Sequence, residues 1–343
     1  MFFTKNYTKG LEMKHYTIKN IMDLYKVKKT RNSIIYDEDK GLIPKADRIK
    51  RGSAEIRAWS ENQLPDVGKI YGFLNSPEKT KIITIYSPKG GVLKSTLSFN
   101  IARILALNGI KILAIGIEVS QKSLTKAVLP QHEVHSIKDI EENPEYGLWE
   151  VARKEKHIKD VIKVCDLKSL HCIPETANLG LLDEYIEKAT LREFFLQRML
   201  EPVIKDYDVI LFDNSSYYRS HLVKNALSMA TDVICPLGCE VGAFQSVLEG
   251  IELINNFKRD MNLQWEHFYF VPTLRDNRRL SSEIETFYRS NLGRSVTTST
   301  IHAYKAIAEE SIVEQLSVIE YSSKSPLADD YYNLLTELYG KTV

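Results

Sequence analysis

Cysteine is scarce in this chain, with four in 343 residues, at Cys165, Cys172, Cys235 and Cys239. So few, so far apart, make no disulfide framework, and they fit a reducing cytoplasm. Long apolar runs are also missing. Nothing approaches the roughly 20 residues needed to span a bilayer. The start, Met1-Phe2-Phe3-Thr4-Lys5-Asn6-Tyr7, lacks the apolar core of a signal peptide, so export is not expected. Net charge is nearly absent, at +1, but it is unevenly spread. Residues 1–79 carry 16 Lys and Arg against 10 Asp and Glu, and the remainder carries 30 against 35. A basic leading segment suits a polyanionic partner, although a solvated basic face explains the charge alone equally well. The length exceeds one ordinary core, so a large domain with a smaller one is expected.

The most informative stretch runs Lys81-Ile82-Ile83-Thr84-Ile85-Tyr86-Ser87, then Pro88-Lys89-Gly90-Gly91-Val92-Leu93-Lys94-Ser95-Thr96. A buried strand leads into a glycine turn, and Leu97, Ile101, Ile104 and Leu105 then recur at helical spacing. Strand, loop and helix stand in the order that a phosphate site needs. Backbone N–H groups of Gly90, Gly91, Val92, Leu93, Ser95 and Thr96 are placed to meet phosphate oxygens. Lys94 is placed to reach the outer phosphates, and Ser95 to bind magnesium. Lys89, five residues before Lys94, makes the pattern Lys-Gly-Gly-x-x-Lys-Ser. This resembles the deviant Walker A motif of the ParA/MinD ATPases, whose extra lysine reaches a partner subunit's nucleotide. Leu93 stands where such loops carry glycine. If that position needs a positive φ, a leucine there costs about 1 kcal/mol or more.

Further along, Tyr207-Asp208-Val209-Ile210-Leu211-Phe212-Asp213 has the form of a Walker B strand, placing Asp213 beside the loop to hold the magnesium shell through water. Helices and strands alternate from there: helix 221–229, strand 232–237, helix 244–257, strand 267–274, helix 280–292, strand 296–300 and a final helix over about 327–339. Earlier, residues 111–117 and 170–174 are expected as strands and 181–205 as one long helix. The alternation predicts an α/β fold, a P-loop parallel sheet flanked by helices. Over residues 80–340 the motif order is similar to that of ParA partition ATPases.

Two motifs depart from that family. The family's Asp-x-Asp-Pro-Gln is replaced by Gly116-Ile117-Glu118-Val119-Ser120-Gln121, so Glu118 or Val119 takes the position of the water-orienting aspartate. Asp-Thr-Pro-Pro is replaced by Asp213-Asn214-Ser215-Ser216. The resemblance implies ATP and magnesium, catalytic positions at Lys89, Lys94, Glu118 and Asp213, impaired hydrolysis, an ATP-dependent homodimer, nucleoid DNA and a ParB-like centromere-binding partner.

In the basic segment, Thr17 is expected to cap a helix through Leu24, and Thr30 a second helix over 31–40. Thr30 to Pro44 resembles the recognition helix of MerR-type DNA-binding domains, and Arg48-Ile49-Lys50-Arg51-Gly52-Ser53 resembles their wing. The implied fold is a small N-terminal winged helix-turn-helix domain, residues 1–76, before a nucleotide domain over 77–343. Lys28, Lys29, Arg31, Asn32 and Ser33 would face the major groove, and Arg48, Lys50 and Arg51 the phosphates. Residues 65–72 and Ser76-Pro77 are expected as the hinge, with Trp59-Ser60 opening a helix. A transcription regulator with a degenerate nucleotide domain is the rival reading. A metal-cluster carrier on Cys235 and Cys239 is a third, with buried strand cysteines as its bland counterpart. His132 and His135 read as surface residues.

Overall fold

Aliphatic runs that can be buried on both faces pair into one eight-stranded sheet, in the order β11-β10-β9-β4-β8-β5-β7-β6. The computed structural model describes residues 14–119, 121–130 and 145–341. His132 and His135 lie outside the described residues. The strands are β4 (Lys81–Ile85), β5 (Ile112–Ile117), β6 (Lys163–Val164), β7 (Leu170–Ile173), β8 (Val209–Asn214), β9 (Asp232–Gly238), β10 (His267–Arg275) and β11 (Ile301–His302). Every pairing is parallel except β6 against β7 at the edge. A parallel-dominated sheet with helices on its faces therefore replaces a wholly parallel one.

On one face lie α4 (Lys94–Leu107) and the last helix, Pro326–Tyr339, packed into the largest core. The other face is covered by Leu179–Glu187, Phe195–Ile204 and His221–Met229. The expected single helix over 181–205 is two. Leu191 is left-handed, at φ 51°, and Asn225 fills the break by accepting from the Leu196 N–H at 2.9 Å and donating to the Arg192 carbonyl at 2.7 Å. The strand expected over 296–300 is also displaced. Arg289 takes the Thr297 carbonyl and Glu337 the N–H groups of Thr298 and Ser299, so those backbone groups are not free to form a ladder.

Ahead of the sheet, β1 (His15–Thr17), α1 (Ile18–Leu24), α2 (Arg31–Asp39), β2 (Asp47–Arg51), β3 (Ala54–Ser60) and α3 (Leu64–Tyr71) form the N-terminal part. The three strands make an antiparallel sheet in the order β1-β3-β2. Thr17 caps α1 through a reciprocal bond with Asn20, and Thr30 caps α2 by accepting from the Ser33 N–H at 3.2 Å. Trp59, fully buried near the end of β3, donates to the Pro44 carbonyl at 2.7 Å, and Ser60 then caps the short helix Glu61–Gln63 that leads into α3, as expected of Trp59-Ser60.

The hinge over 65–72 is instead α3. Pro65 occupies its first turn, where a missing N–H loses nothing. Gly68 is there for contact, since a Cβ on it would fall 1.8 Å from the Leu107 carbonyl oxygen. Tyr25 donates to the carbonyls of both Leu64 and Leu107, at 2.8 and 3.0 Å, and Tyr332 donates to the Leu24 carbonyl at 2.6 Å. Ile21, Leu24, Trp59 and Val67 accordingly belong to the same core as Ile101 and Leu105.

Candidate functional site

β4 hands the chain to a loop at Tyr86, and α4 takes it up at Lys94. Two residues between them are left-handed, Gly91 at φ 77° and Leu93 at φ 67°. Glycine adopts that conformation freely, whereas for an L-residue with a side chain it costs about 1–2 kcal/mol. The position before Lys94 does require a positive φ, and this chain meets the requirement with leucine. Packing of the Leu93 side chain against the main core offsets part of the strain. The loop is also braced from outside. Thr273 donates to the Val92 carbonyl at 3.2 Å, and Gly250 lies so close that a Cβ there would be 2.1 Å from Pro88 Cγ.

Lys94 curls back to donate to the Lys89 carbonyl at 3.0 Å. Burial pulls its ammonium below the usual lysine range, against the opposing charges of Asp213 and Glu118. Lys89 is half-buried, and among the described residues its ammonium has no hydrogen-bond or ion-pair partner.

Asp213 lies in β8 level with Ile85 on one side and Gly116 on the other, wholly buried. Burial pushes its carboxyl up to about 6, although Ser95, Ser98 and Lys94 all favour the charged form. Oδ1 accepts from the Ser98 hydroxyl at 2.8 Å, while Oδ2 is buried without a partner. The neighbouring Asn214 Oδ1 is likewise unpartnered. Orphaned buried oxygens are rare in native proteins, and an ion or water that they serve is one of their recognised explanations. Oxygen donors from Asp213 and Ser95 beside a phosphate loop fit a hydrated magnesium ion.

Glu118 follows β5, half-buried, and its charge bears on both Lys94 and Asp213. Val119 is 43% exposed and lies 3.5 Å from where a Cβ on Gly180 would stand. Of the two positions, Glu118 is the one whose charge bears on Lys94 and Asp213.

Sequence reasoning missed Glu175, just beyond β7 and fully buried. Its only advance signal is that the stretch replacing Asp-x-Asp-Pro-Gln opens with a glycine, Gly116. Cys235 and Cys239 are buried, and burial pushes both thiols up to about 12. Among the described residues no group of three or more His, Cys, Asp or Glu could hold a metal ion. Nor is any helix there long and apolar enough to cross a membrane.

In the N-terminal part, Lys28, Arg31, Asn32, Arg48, Lys50 and Arg51 are exposed. Lys29 and Ser33 are engaged within the chain. Lys29 bonds Asp37 at 2.6 Å, and the Ser33 hydroxyl pairs with Thr30 at 2.9 Å.

The family model described as AAA domain (AAA_31) matches residues 80–266, more than half of the chain. The chain belongs to that family. Among curated proteins, Soj of Bacillus subtilis, a sporulation initiation inhibitor protein, is 25% identical over 264 residues, which cover 75% of this chain and 98% of Soj. A plasmid partition protein from Borrelia burgdorferi of known structure is 27% identical, with a TM-score of 0.54 over 71% of this chain and 97% of that one. McdA from Cyanothece, solved as an ATP complex, is 16% identical with a TM-score of 0.66 over 78% and 99% of the two chains, which shows the fold alone. The fold is that of the ParA-like P-loop ATPases.

Proposed function

We propose that this protein is a ParA-type partition ATPase. It binds ATP and magnesium, dimerises through the nucleotide, binds DNA through its N-terminal part and works at the nucleoid with a ParB-like centromere-binding protein. The observation that carries the reading is the unpartnered Oδ2 of Asp213, buried beside Ser95 and Lys94 at the mouth of a loop with the Lys-Gly-Gly-x-x-Lys-Ser pattern. The ATP in the McdA complex and the partition roles named for other relatives support it.

Lys94 leaves the Lys89 carbonyl to hold the outer phosphates of ATP. The N–H groups of Gly90, Gly91, Val92, Leu93, Ser95 and Thr96 cradle them, and Lys89 reaches the partner's nucleotide. Ser95 and Asp213 hold the magnesium shell, and the ion, when bound, neutralises charge on the transferred phosphoryl group. Glu118 orients the attacking water. α2 enters the major groove with Arg31 and Asn32 leading and Lys28 beside them, while Arg48, Lys50 and Arg51 grip phosphates. Lys29 and Ser33 contribute by shaping the helix start. The transcription-regulator alternative is not favoured, because several relatives are named as partition proteins.

The test is ATP binding and hydrolysis by the full chain, with and without DNA. Lys94→Ala should abolish nucleotide binding. A wild-type chain that ignores ATP at millimolar concentration sinks the proposal.

A further inference from the structure

The catalytic edge of the sheet contains a space that two residues compete for. Gly116 is level with Asp213 across the β5–β8 pairing. It lies in β5 without a positive φ, so its backbone would accept any L-residue. What excludes a side chain is Glu175, whose Cδ and Oε1 would stand 2.3 and 2.5 Å from a Cβ at position 116. The Glu175 carboxylate therefore fills the volume that a side chain on residue 116 would occupy. With Glu118 rather than Val119 at the second aspartate of the Asp-x-Asp pattern, position 116 falls at the first.

We infer that Glu175 is a positioning residue of the site, supplying from β7 the carboxylate that β5 lacks at position 116. The inference rests on the ATPase reading above.

Two sets of contacts give Glu175 that role. Its Oε2 accepts from the Thr125 N–H at 2.9 Å, its own N–H donates to the Thr125 hydroxyl at 2.7 Å, and the Glu118 N–H is directed at the same carboxylate. The chain leaving β5 is thus tied to the end of β7 at Glu118 itself and again at Thr125. The second oxygen, Oε1, is buried and has no partner. A carboxylate used only as a brace would not need a spare oxygen held dry beside Asp213, whose charge acts on it. A shape-filling apolar residue would brace without that penalty.

The experiment is a cycle of Glu175→Ala, Gly116→Asp and the double variant in the full chain. Thermal unfolding is read without nucleotide. Affinity for a fluorescent ATP analogue and single-turnover hydrolysis are read with magnesium. Glu175→Ala should slow the chemical step by about tenfold or more while affinity stays within about threefold, because a positioning group acts on rate rather than ground-state binding. Gly116→Asp alone should lower both Tm and rate, since two carboxylates then crowd one space. The double variant should regain Tm and come within about threefold of the wild-type rate, a coupling that independent sites do not show.

A Gly116→Asp variant as stable and as fast as wild type overturns the shared-space argument. A double variant no faster than Glu175→Ala overturns the transplanted carboxylate. If wild type binds no nucleotide, the ATPase reading and the positional role fall together, and the nucleotide-free melting cycle still decides whether the two positions share one space.

Discussion

Glu118→Gln separates the two places where the attacking water could be held. The carboxylate is half-buried, and its charge acts on Lys94 and on Asp213, which brackets the region where the outermost phosphate must lie. Replacing it with the isosteric amide leaves the loop, Lys94 and Asp213 in place, so ATP binding should change little. It removes a half-buried carboxylate whose charge bears on both Lys94 and Asp213. General-base assistance contributes about 10²–10⁴-fold, which at about 1.4 kcal/mol per decade is roughly 3–5 kcal/mol of barrier.

Single-turnover hydrolysis with the chain in excess over labelled ATP reads that step without product release. The expected result is a fall in rate of at least about a hundredfold with affinity within about threefold of wild type. Val119→Asp in the same assay should gain nothing, because that side chain is 43% exposed and lies toward Gly180. Unchanged turnover in Glu118→Gln, or faster turnover in Val119→Asp, refutes the assignment of the water to Glu118.

The other expected outcomes are as follows. Lys89→Ala should bind ATP yet remain at monomer mass in light scattering, where wild type grows with ATP and not with ADP; equal masses in both states for wild type would exclude a nucleotide-built dimer. Arg31→Ala should cost a specific DNA site about 1–3 kcal/mol, whereas Arg51→Ala should weaken all sequences alike and flatten the salt dependence by about one ion. Loss of Arg103, a wholly buried guanidinium bonded to Asp166 at 2.6 and 2.8 Å and to Glu320 at 2.6 Å, should destabilise the fold by about 3–5 kcal/mol in urea titrations, because Glu320 is left buried without its cation. A loss in Arg103→Ala below about 1 kcal/mol would mean the network is open to water. Burial pushes Glu175 up to about 7, so its favourable contribution is complete below its unfolded value of about 4.3 and is lost as pH rises through about 7, by up to roughly 3 kcal/mol. Glu175→Gln should remove that fall from a stability-against-pH curve, and an unchanged curve would show that Glu175 ionises freely in the folded state.

The nucleotide half was legible because its signals are local and cooperative. A β-branched run, a glycine loop and a helical period each predict the next element, and Asp213 ends a strand whose apolar content places it inside. The same locality explains the failures. Pro65, Gly68 and Gly72 read as breakers, yet Pro65 sits in a first turn and Gly68 exists for the Leu107 carbonyl, which is distant in sequence. Apolar periodicity continues across Leu191, so only the Asn225 side chain, from another helix, marks the break. The threonines of 296–300 have strand propensity, but Arg289 and Glu337 capture their backbone. Glu175 could not be found from its own neighbours, because its significance lies in what is missing at position 116.

The packing of α3 on α4 bears on how DNA and nucleotide could be linked. The last turn of α4 is one of the places where the N-terminal part is anchored, the last helix being another. Leu107 accepts from Tyr25, and Asn108 accepts from the N–H groups of Phe73 and Leu74 at 2.7 and 3.2 Å. Gly109, at φ 79°, lets the chain turn against Lys69 and Pro65. The first turn of the same helix carries Lys94 and Ser95. One helix of 14 residues, about 21 Å long, therefore joins the phosphate loop to the base of the N-terminal part. If the shared core and these buried hydrogen bonds hold as DNA binds, α2 keeps one orientation to the loop. In a dimer built through Lys89, the two recognition helices would then be held at one separation and would demand one spacing of half-sites. A hinged N-terminal domain would tolerate many. The DNA footprint of the ATP-bound dimer should accordingly lose protection when a few base pairs are inserted between half-sites, and tolerance of such insertions would mean that the joint between α3 and α4 opens.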